Sequence, residues 1–158
     1  MIDNIKKIAG VALLLPLAGC GSVKHNYMGK GEDIAQEAES NKGSTAWAYS
    51  TSKESSGVGK FKENTWKCNL FIYDMLEAAG VSAPKNYDSK CKCYWPITAG
   101  DWTDSVSGFK KVYSLQKGDI VSDGSHVGIA VSDTRILAAN KDNVGGYSLS
   151  GTIQRYDD

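Results

Sequence analysis

The chain has 158 residues, with 18 basic and 18 acidic side chains and a formal net charge of +0 at pH 7. A chain this close to neutral has no electrostatic footprint for nucleic acid, so nucleic-acid binding is excluded as its main function. The length is sufficient for one domain with its own hydrophobic core.

The N-terminal segment has the pattern of a secretory signal peptide. Lys6 and Lys7 precede an apolar run from Ile8 to Ala18, which is about half the length that a helix needs to span a bilayer. Residues 1–19 are therefore predicted to be a signal peptide and are set aside from the fold.

The end of that segment, Leu17-Ala18-Gly19-Cys20, resembles the lipobox of bacterial lipoproteins. The resemblance implies cleavage before Cys20 and acyl chains on its thiol and new amine, which would anchor the protein stably in the cell envelope. Gly21 in place of Asp after the cysteine indicates the outer membrane, facing the periplasm. The alternative is an ordinary signal peptide in which Cys20 is incidental.

Two segments follow before the best helix of the chain. Residues 20–30 are polar and contain glycine, which is typical of a tether. Residues 31–158 are predicted to form the domain. Within it, residues 31–40 favour a short helix with Ile34, Ala35 and Ala38 on one face, and residues 50–60 favour an exposed loop.

The stretch NTWKCNLFIYDMLEAAG, residues 64–80, predicts an amphipathic helix that ends at Gly80. Its apolar residues recur at helical spacing: Leu70, Phe71, Met75, Leu76 and Ala79. Cys68 lies at the start of this helix. A free cysteine is often simply a small core residue, but a helix N-terminus favours the thiolate, so Cys68 is also a candidate nucleophile.

The pattern changes along the second half of the chain. Residues 81–117 are predicted to be irregular except for a short helix within 99–105. After that, runs with β-branched residues and turn signals between them predict strands within 118–124, 126–133, 134–140 and 146–157. Helices followed by an antiparallel sheet that starts near Gly118 give an α+β fold class.

The chain has two histidines, and His25 falls in the predicted tether. His126 begins a predicted strand directly after a tight turn. Taken alone, a histidine at a strand end is more often a structural residue than a catalytic one, and the same holds for a single cysteine. Together with Cys68, however, His126 meets the requirement of a Cys-His dyad, in which the imidazole takes the thiol proton and later returns it to the leaving amine.

Three stretches, KCNLFIYDMLEAAG, YWPITAGDW and KGDIVSDGSHVGIAVSD, resemble the papain-like cysteine amidases and peptidases of bacterial cell walls, the NlpC-type and CHAP-type families. The resemblance covers about half of the chain, residues 66–139. It implies a papain-like domain with helices packed on an antiparallel sheet, Cys68 as nucleophile and His126 as general base. It implies no metal or organic cofactor.

The third polar residue of these families is not obvious in this sequence. In many NlpC-type members a His or Asn in the next strand orients the imidazole, and Ala138 occupies that place here. Asn140 lies two residues further on the same alternating face and is the catalytic candidate. Alternatively, Asn140 simply begins the turn NKDN, and a backbone carbonyl orients the imidazole.

Cys91 and Cys93 are close in sequence and allow two interpretations. They can form a disulfide that leaves Cys68 free, or both can remain free thiols. A zinc site has too few ligands, since one Cys-x-Cys lacks a second cluster.

Several aromatic residues surround these motifs. Trp66, Tyr94, Trp95 and Trp102 could be core residues or walls of a groove, and Trp66, Asn69, Tyr94 and Trp95 are the predicted substrate-binding residues. Tyr49 lies in a region where NlpC-type enzymes often place a tyrosine near the nucleophile.

The resemblance implies a cell-wall hydrolase that cleaves an amide in the peptide part of peptidoglycan. The rival interpretation is a non-catalytic lipoprotein that binds peptidoglycan or a periplasmic partner protein on the same fold. As an enzyme, the protein could also have a periplasmic inhibitor or partner.

Overall fold

The structure is a computed structural model that describes residues 29–158. The predicted signal peptide, Cys20, His25 and nearly all of the predicted tether lie outside the described residues. Within 29–158, no helix is long and apolar enough to cross a membrane.

The described chain contains two α-helices, eight strands and one short 3-10 helix. The helices are α1 (Lys30–Ser40) and α2 (Cys68–Ala78), and the 3-10 helix spans Asp101–Thr103. The strands are β1 (Lys85–Asp88), β2 (Cys93–Pro96), β3 (Phe109–Val112), β4 (Ile120–Ser122), β5 (Val127–Ala130), β6 (Ile136–Ala139), β7 (Val144–Gly146) and β8 (Thr152–Tyr156).

The helices form one layer and a six-stranded sheet forms the other. The strand order is β3-β8-β4-β5-β6-β7, every pairing is antiparallel, and β1 and β2 form a separate antiparallel hairpin. Both helices pack against β5. The predicted α+β class, with N-terminal helices on an antiparallel sheet, is confirmed.

Helix α2 is the central element of the core. Its predicted apolar residues are buried, and each fully buried side chain of this size contributes roughly 1.5–3 kcal/mol. The helix ends in a Schellman motif: the N–H of Val81 donates to the carbonyl of Leu76, and the N–H of Gly80, at φ 71°, donates to that of Glu77. The predicted stop at Gly80 is therefore confirmed.

Helix α1 matches its prediction to within one residue, and its predicted face of Ile34, Ala35 and Ala38 is buried. It approaches the turn before β4 so closely that a Cβ on Gly118 would lie 2.1 Å from the carbonyl oxygen of Gly31. Gly118 also has a φ of +83°, so glycine is required there on both counts.

The prediction that residues 81–117 are irregular is wrong in three places, because β1, β2 and β3 lie there. The six-stranded sheet accordingly begins at Phe109 rather than near Gly118. These strands were missed because β1 (KNYD) and β3 (FKKV) are largely exposed and polar. The short helix predicted within 99–105 is confirmed as the 3-10 helix.

The predicted run 146–157 is divided between two strands. Strand β7 ends at Gly146, and β8 crosses the sheet to lie between β3 and β4. Arg155 on β8 donates from Nε and Nη2 to the two carboxylate oxygens of fully buried Asp119, both at 2.8 Å. This bidentate pair ties the beginning of β4 to β8.

Cys91 and Cys93 form a disulfide at the turn between β1 and β2, as the first of the two interpretations predicted. Cys68 is the one free cysteine among residues 29–158.

Candidate active site

Cys68 is the first residue of α2 and is 6 % exposed. Three backbone N–H groups interact with its sulfur: those of Cys68 and Asn69, at the open end of the helix, and that of Val127, at the start of β5. Val127 directly follows His126. The packing of α2 on β5 therefore brings the predicted nucleophile and the predicted base to one place, and both line the same cavity.

The turn that presents His126 is held by the Asp123 carboxylate. Its Oδ1 accepts hydrogen bonds from the backbone N–H groups of Ser125 and His126 and from the Ser125 hydroxyl, each at 2.8 Å. Gly124 within the turn has a φ of +91°. The Ser122 hydroxyl donates to the Ala99 carbonyl at 2.6 Å. The turn is thus fixed within itself and to the segment before the 3-10 helix.

Two side chains approach the His126 ring: Asn140, from the turn after β6, and Tyr147, from the segment after β7. The Tyr147 ring packs against it with centroids 4.4 Å apart. The Asn140 side chain, just after β6, is close enough to raise the pKa of His126. Nε2 of His126 and Oδ1 of Asn140 are both buried without a hydrogen-bond partner of good geometry. One is a potential donor and the other an acceptor, so each supplies what the other lacks.

Asn140 also begins a turn, since its backbone N–H donates to the Asn143 carbonyl at 2.9 Å. The two sequence interpretations of Asn140 are therefore compatible: its backbone closes the turn while its side chain faces the imidazole. Ala138, at the position that the families usually use, is a buried residue in the middle of β6.

Burial shifts the pKa of the Cys68 thiol and that of the His126 imidazole in the directions that favour their neutral forms. Burial raises the pKa of the Cys68 thiol; the three N–H groups oppose this shift, and the nearby Asp123 charge adds to it. The N–H groups at the start of the helix do favour the thiolate, as expected, but desolvation has the larger effect on the pKa. Burial likewise lowers the pKa of His126, against the opposing effects of Asn140 and Asp123.

Two depressions flank the sulfur. One is a cavity of about 470 Å³, here called the histidine cavity, which is lined by Trp66, Cys68, Ser125, His126, Asn140, Lys141 and Tyr147. The other, of about 330 Å³, is lined by Trp66, Cys68, Asn69, Thr98, Ala99, Gly100, Gly124 and Ser125. Because both share Cys68, a bound chain could run across the sulfur from one to the other.

A larger depression of about 630 Å³ lies elsewhere, between the start of β1 and the 3-10 helix side of the sheet. Its lining includes Lys85, Asp101, Asp104 and Tyr156 but no cysteine or histidine. The cysteine and the histidine needed for nucleophilic catalysis are therefore not in this larger depression. They lie in the groove that the two depressions form at Cys68, here called the Cys68 groove.

Two predicted substrate-binding residues are at this groove. Trp66 is 57 % exposed and lines both depressions. Asn69 lines the smaller one and donates from Nδ2 to the Pro96 carbonyl at 3.4 Å. The Tyr49 ring packs on the Trp66 ring with centroids 5.1 Å apart. Tyr49 therefore supports the side chain that lines both depressions.

Tyr94 and Trp95 line neither depression, so the structure does not bring these two predicted substrate-binding residues to Cys68. Tyr94 packs against Tyr87 at a centroid distance of 5.2 Å, and Trp95 packs against Phe61 at the same distance. The alternation along β2 and the hairpin pairing direct both rings to other neighbours. Trp102 is a core residue, 1 % exposed.

Sequence reasoning missed three residues of the site. Tyr147 and Lys141 reach the histidine cavity because the turn after β6 and strand β7 return beside His126, which no local pattern predicts. Lys67 is the third: it is 1 % exposed, and its Nζ donates to the carbonyls of Thr65, Ala48 and Tyr49 at 2.8, 3.1 and 3.4 Å. Nothing in the local sequence around Lys67 indicates that its ammonium group is buried.

Within residues 29–158, no group of three or more His, Cys, Asp and Glu side chains could hold a metal ion. Comparison of the chain with protein-family models, with curated protein sequences and with solved structures gives no match.

Proposed function

We propose that the protein is a cysteine hydrolase with a papain-like domain of the NlpC or CHAP type, which cleaves an amide bond in the peptide part of peptidoglycan. The observation that carries the proposal is the meeting of Cys68, at the N-terminus of α2, with the start of β5. The Val127 N–H contacts the sulfur and His126 lines the same cavity. Asn140 faces the imidazole in the position of a third residue.

In the proposed reaction, the neutral His126 imidazole removes the Cys68 proton as the sulfur attacks the carbonyl carbon. The new C–S bond gives a tetrahedral intermediate. The C–N bond then breaks as the imidazolium gives its proton to the leaving nitrogen. Water next attacks the thioester carbon and gives a proton to His126. As the C–S bond breaks, the imidazolium returns that proton to the sulfur, which leaves the thiol, the neutral imidazole and the free acid. Each proton is accounted for without a cofactor.

The lowered pKa of His126 suits this sequence of steps. A base that is neutral at rest accepts the thiol proton at neutral pH without first losing one. The raised pKa of Cys68 favours the neutral thiol before attack, so the proposed reaction begins with removal of the thiol proton by His126.

The developing oxyanion requires hydrogen-bond donors near the sulfur. The N–H groups of Cys68 and Asn69 at the start of α2 are the available backbone donors, and the positive end of the helix dipole lies in the same direction. Cys68 therefore has a second role, as the backbone donor of an oxyanion hole.

The groove favours an extended chain as substrate. It is open on both sides of Cys68, and exposed Trp66 offers an aromatic surface shared by both depressions. The peptide of peptidoglycan as the specific substrate is supported by the resemblance of residues 66–139 to cell-wall enzymes.

Lipid attachment at Cys20 would hold this domain at the outer membrane, facing the periplasm and its substrate. Replacing Cys20 with Ala should move the protein from the membrane fraction to the soluble fraction. A Cys20→Ala protein that remains in membranes after a high-salt wash would contradict the anchor.

Turnover of purified peptidoglycan tests the hydrolase. The variants are Cys68→Ala, His126→Ala and the double variant, with His25→Ala as the control for loss of a histidine. If Cys68 and His126 act in one step, either single change should abolish nearly all activity and the double change should cost little more. His25→Ala should retain full activity.

Thermal melts of each variant separate chemistry from stability. Both substitutions at the groove should leave the melting temperature near that of the wild type, since little apolar area is removed compared with Leu70 or Phe71. Wild-type protein that binds peptidoglycan but releases no new amine would contradict the hydrolase and favour the binding protein. Mass spectrometry of the released muropeptides identifies the bond that is cut.

A further inference from the structure

Lys141 is the one residue in the lining of the histidine cavity whose side chain is formally charged at neutral pH. No Asp or Glu lines this cavity. Among residues 29–158, the Lys141 Nζ makes no hydrogen bond or ion pair. The Asp123 carboxylate, the nearest acid to the His126 ring in sequence, is engaged by three donors of its own turn. The lining of the cavity that contains Cys68 and His126 therefore includes a positive charge that no acidic residue of the lining balances.

The backbone of Lys141 is held in place, although its side chain is exposed. The Tyr49 N–H donates to the Lys141 carbonyl at 2.7 Å, and the preceding residue, Asn140, closes its turn onto Asn143 at 2.9 Å. Tyr49 in turn packs its ring on Trp66. The origin of the lysine side chain is thus fixed relative to both the aromatic wall and the residue that faces His126.

The chemistry assigns this cavity to one side of the scissile bond. His126 has to return its proton to the leaving nitrogen, so the leaving residue must lie next to the imidazole. The histidine cavity contains the imidazole, whereas the smaller depression, on the other side of Cys68, does not. The leaving residue therefore occupies the histidine cavity, between Trp66 and Tyr147.

We propose that this cavity selects substrates whose leaving residue has a free carboxylate, with the Nζ of Lys141 as the carboxylate-binding group. The inference rests on the proposed hydrolase function, since it assigns the leaving side from the role of His126. It adds a substrate class, namely amides in which the residue on the amine side of the scissile bond has a free carboxylate. Substrates in which that carboxylate is a carboxamide, or is joined to a further neutral residue, should be cleaved less well.

The first test compares two peptides that differ only in the leaving residue, one with a free α-carboxylate and one with the carboxamide. Wild type should cleave the carboxylate form with a kcat/KM about three- to tenfold higher, the range for a partly exposed charged hydrogen bond. Lys141→Gln should remove the preference, Lys141→Arg should retain most of it, and Lys111→Gln, at an exposed lysine of β3, should leave it unchanged.

The second test needs no substrate. Iodoacetate and iodoacetamide alkylate the same sulfur, but only iodoacetate has a carboxylate. At pH 8, where His126 is neutral, the ratio of their rate constants at Cys68 should fall about three- to tenfold from wild type to Lys141→Gln. The ratio for Lys111→Gln should match the wild type.

The two tests fail in different ways. An alkylation ratio that is equal in wild type and Lys141→Gln overturns the carboxylate site, even if the enzyme cleaves peptides. A ratio that depends on Lys141 in a protein that cleaves neither peptide nor peptidoglycan supports the anion site and counts against the hydrolase. Cleavage of both peptides at equal rates by wild type overturns the inference and leaves the hydrolase standing.

Discussion

The Asp123 carboxylate accepts a hydrogen bond from the backbone N–H of His126 at 2.8 Å. It also accepts from Ser125 in the same turn, and these hydrogen bonds hold its own pKa below the usual value. One carboxylate therefore fixes the backbone that presents the imidazole and places a negative charge near it.

The two roles of Asp123 can be separated by substitution. Asp123→Asn keeps an oxygen acceptor for the turn but removes the charge, whereas Asp123→Ala removes both. The Asp123 charge raises the pKa of His126, so Asp123→Asn should lower that pKa and shift the acidic limb of kcat/KM to lower pH with little loss of maximum rate. Asp123→Ala should also reduce the maximum rate. Identical pH profiles for wild type and Asp123→Asn would contradict the electrostatic role.

The pH dependence of wild-type activity follows from the direction of the His126 shift. The reaction needs the neutral imidazole, and burial lowers the pKa of His126 from its ordinary value of 6.5. Activity should therefore rise with pH around a midpoint below 6.5. A kcat/KM profile whose acidic limb has its midpoint above 6.5 would rule out this environment for the base.

The parts of this site that the sequence predicted are those specified by local chemistry. Cys68 was found because its helix has a clear apolar period, and His126 because it follows a turn and precedes β-branched residues. Lys141 and Tyr147 were missed because only the pairing of β6 with β7 brings them beside His126. That pairing joins Leu137 to Gly146, which is a tertiary fact without a local signal.

The fold shows the same division. The buried strands β5 and β6 were predicted from their apolar residues, while β1 and β3, which are short and mostly exposed or half-buried, had no alternation to detect. The net shift of the Cys68 pKa could not be predicted for a related reason: a helix N-terminus is visible in the sequence, but the burial whose effect outweighs it is not.

Lys67 provides a stability prediction. Its ammonium group is buried and donates to three carbonyls, two of them in the segment that contains Tyr49. Lys67→Met should remove these bonds and leave the carbonyls unpaired, at a cost of roughly 1–3 kcal/mol in the free energy of unfolding. Urea denaturation measures it, with exposed Lys62→Met as the control. A loss no larger than that of the control would show that the ammonium is not a structural group.

The Cys91–Cys93 disulfide should contribute little to stability, because the loop that it closes contains only Lys92 between the cysteines. The loop-entropy relation gives less than about 2 kcal/mol for so short a loop. The variant with both cysteines replaced by Ser should therefore keep most of its stability. Its peptidoglycan turnover should be unchanged, since Cys91 and Cys93 lie at the turn of the hairpin and line neither depression at Cys68. A large loss of turnover with an unchanged melting temperature would show that the hairpin contributes to the active site.

Asn140 gives the sharpest test of how the imidazole is positioned. Its side chain raises the pKa of His126, and its Oδ1 is the buried acceptor without another partner. Asn140→Ala should lower kcat roughly ten- to hundredfold, less than the loss of the base itself, which supplies about 10²–10⁴. It should also move the acidic limb to lower pH. Asn140→Asp keeps an acceptor and adds a negative charge, so it should move the limb in the opposite direction, to higher pH. If Asn140 served only the turn, its two variants would change the melting temperature and leave the position of the limb where it is in wild type.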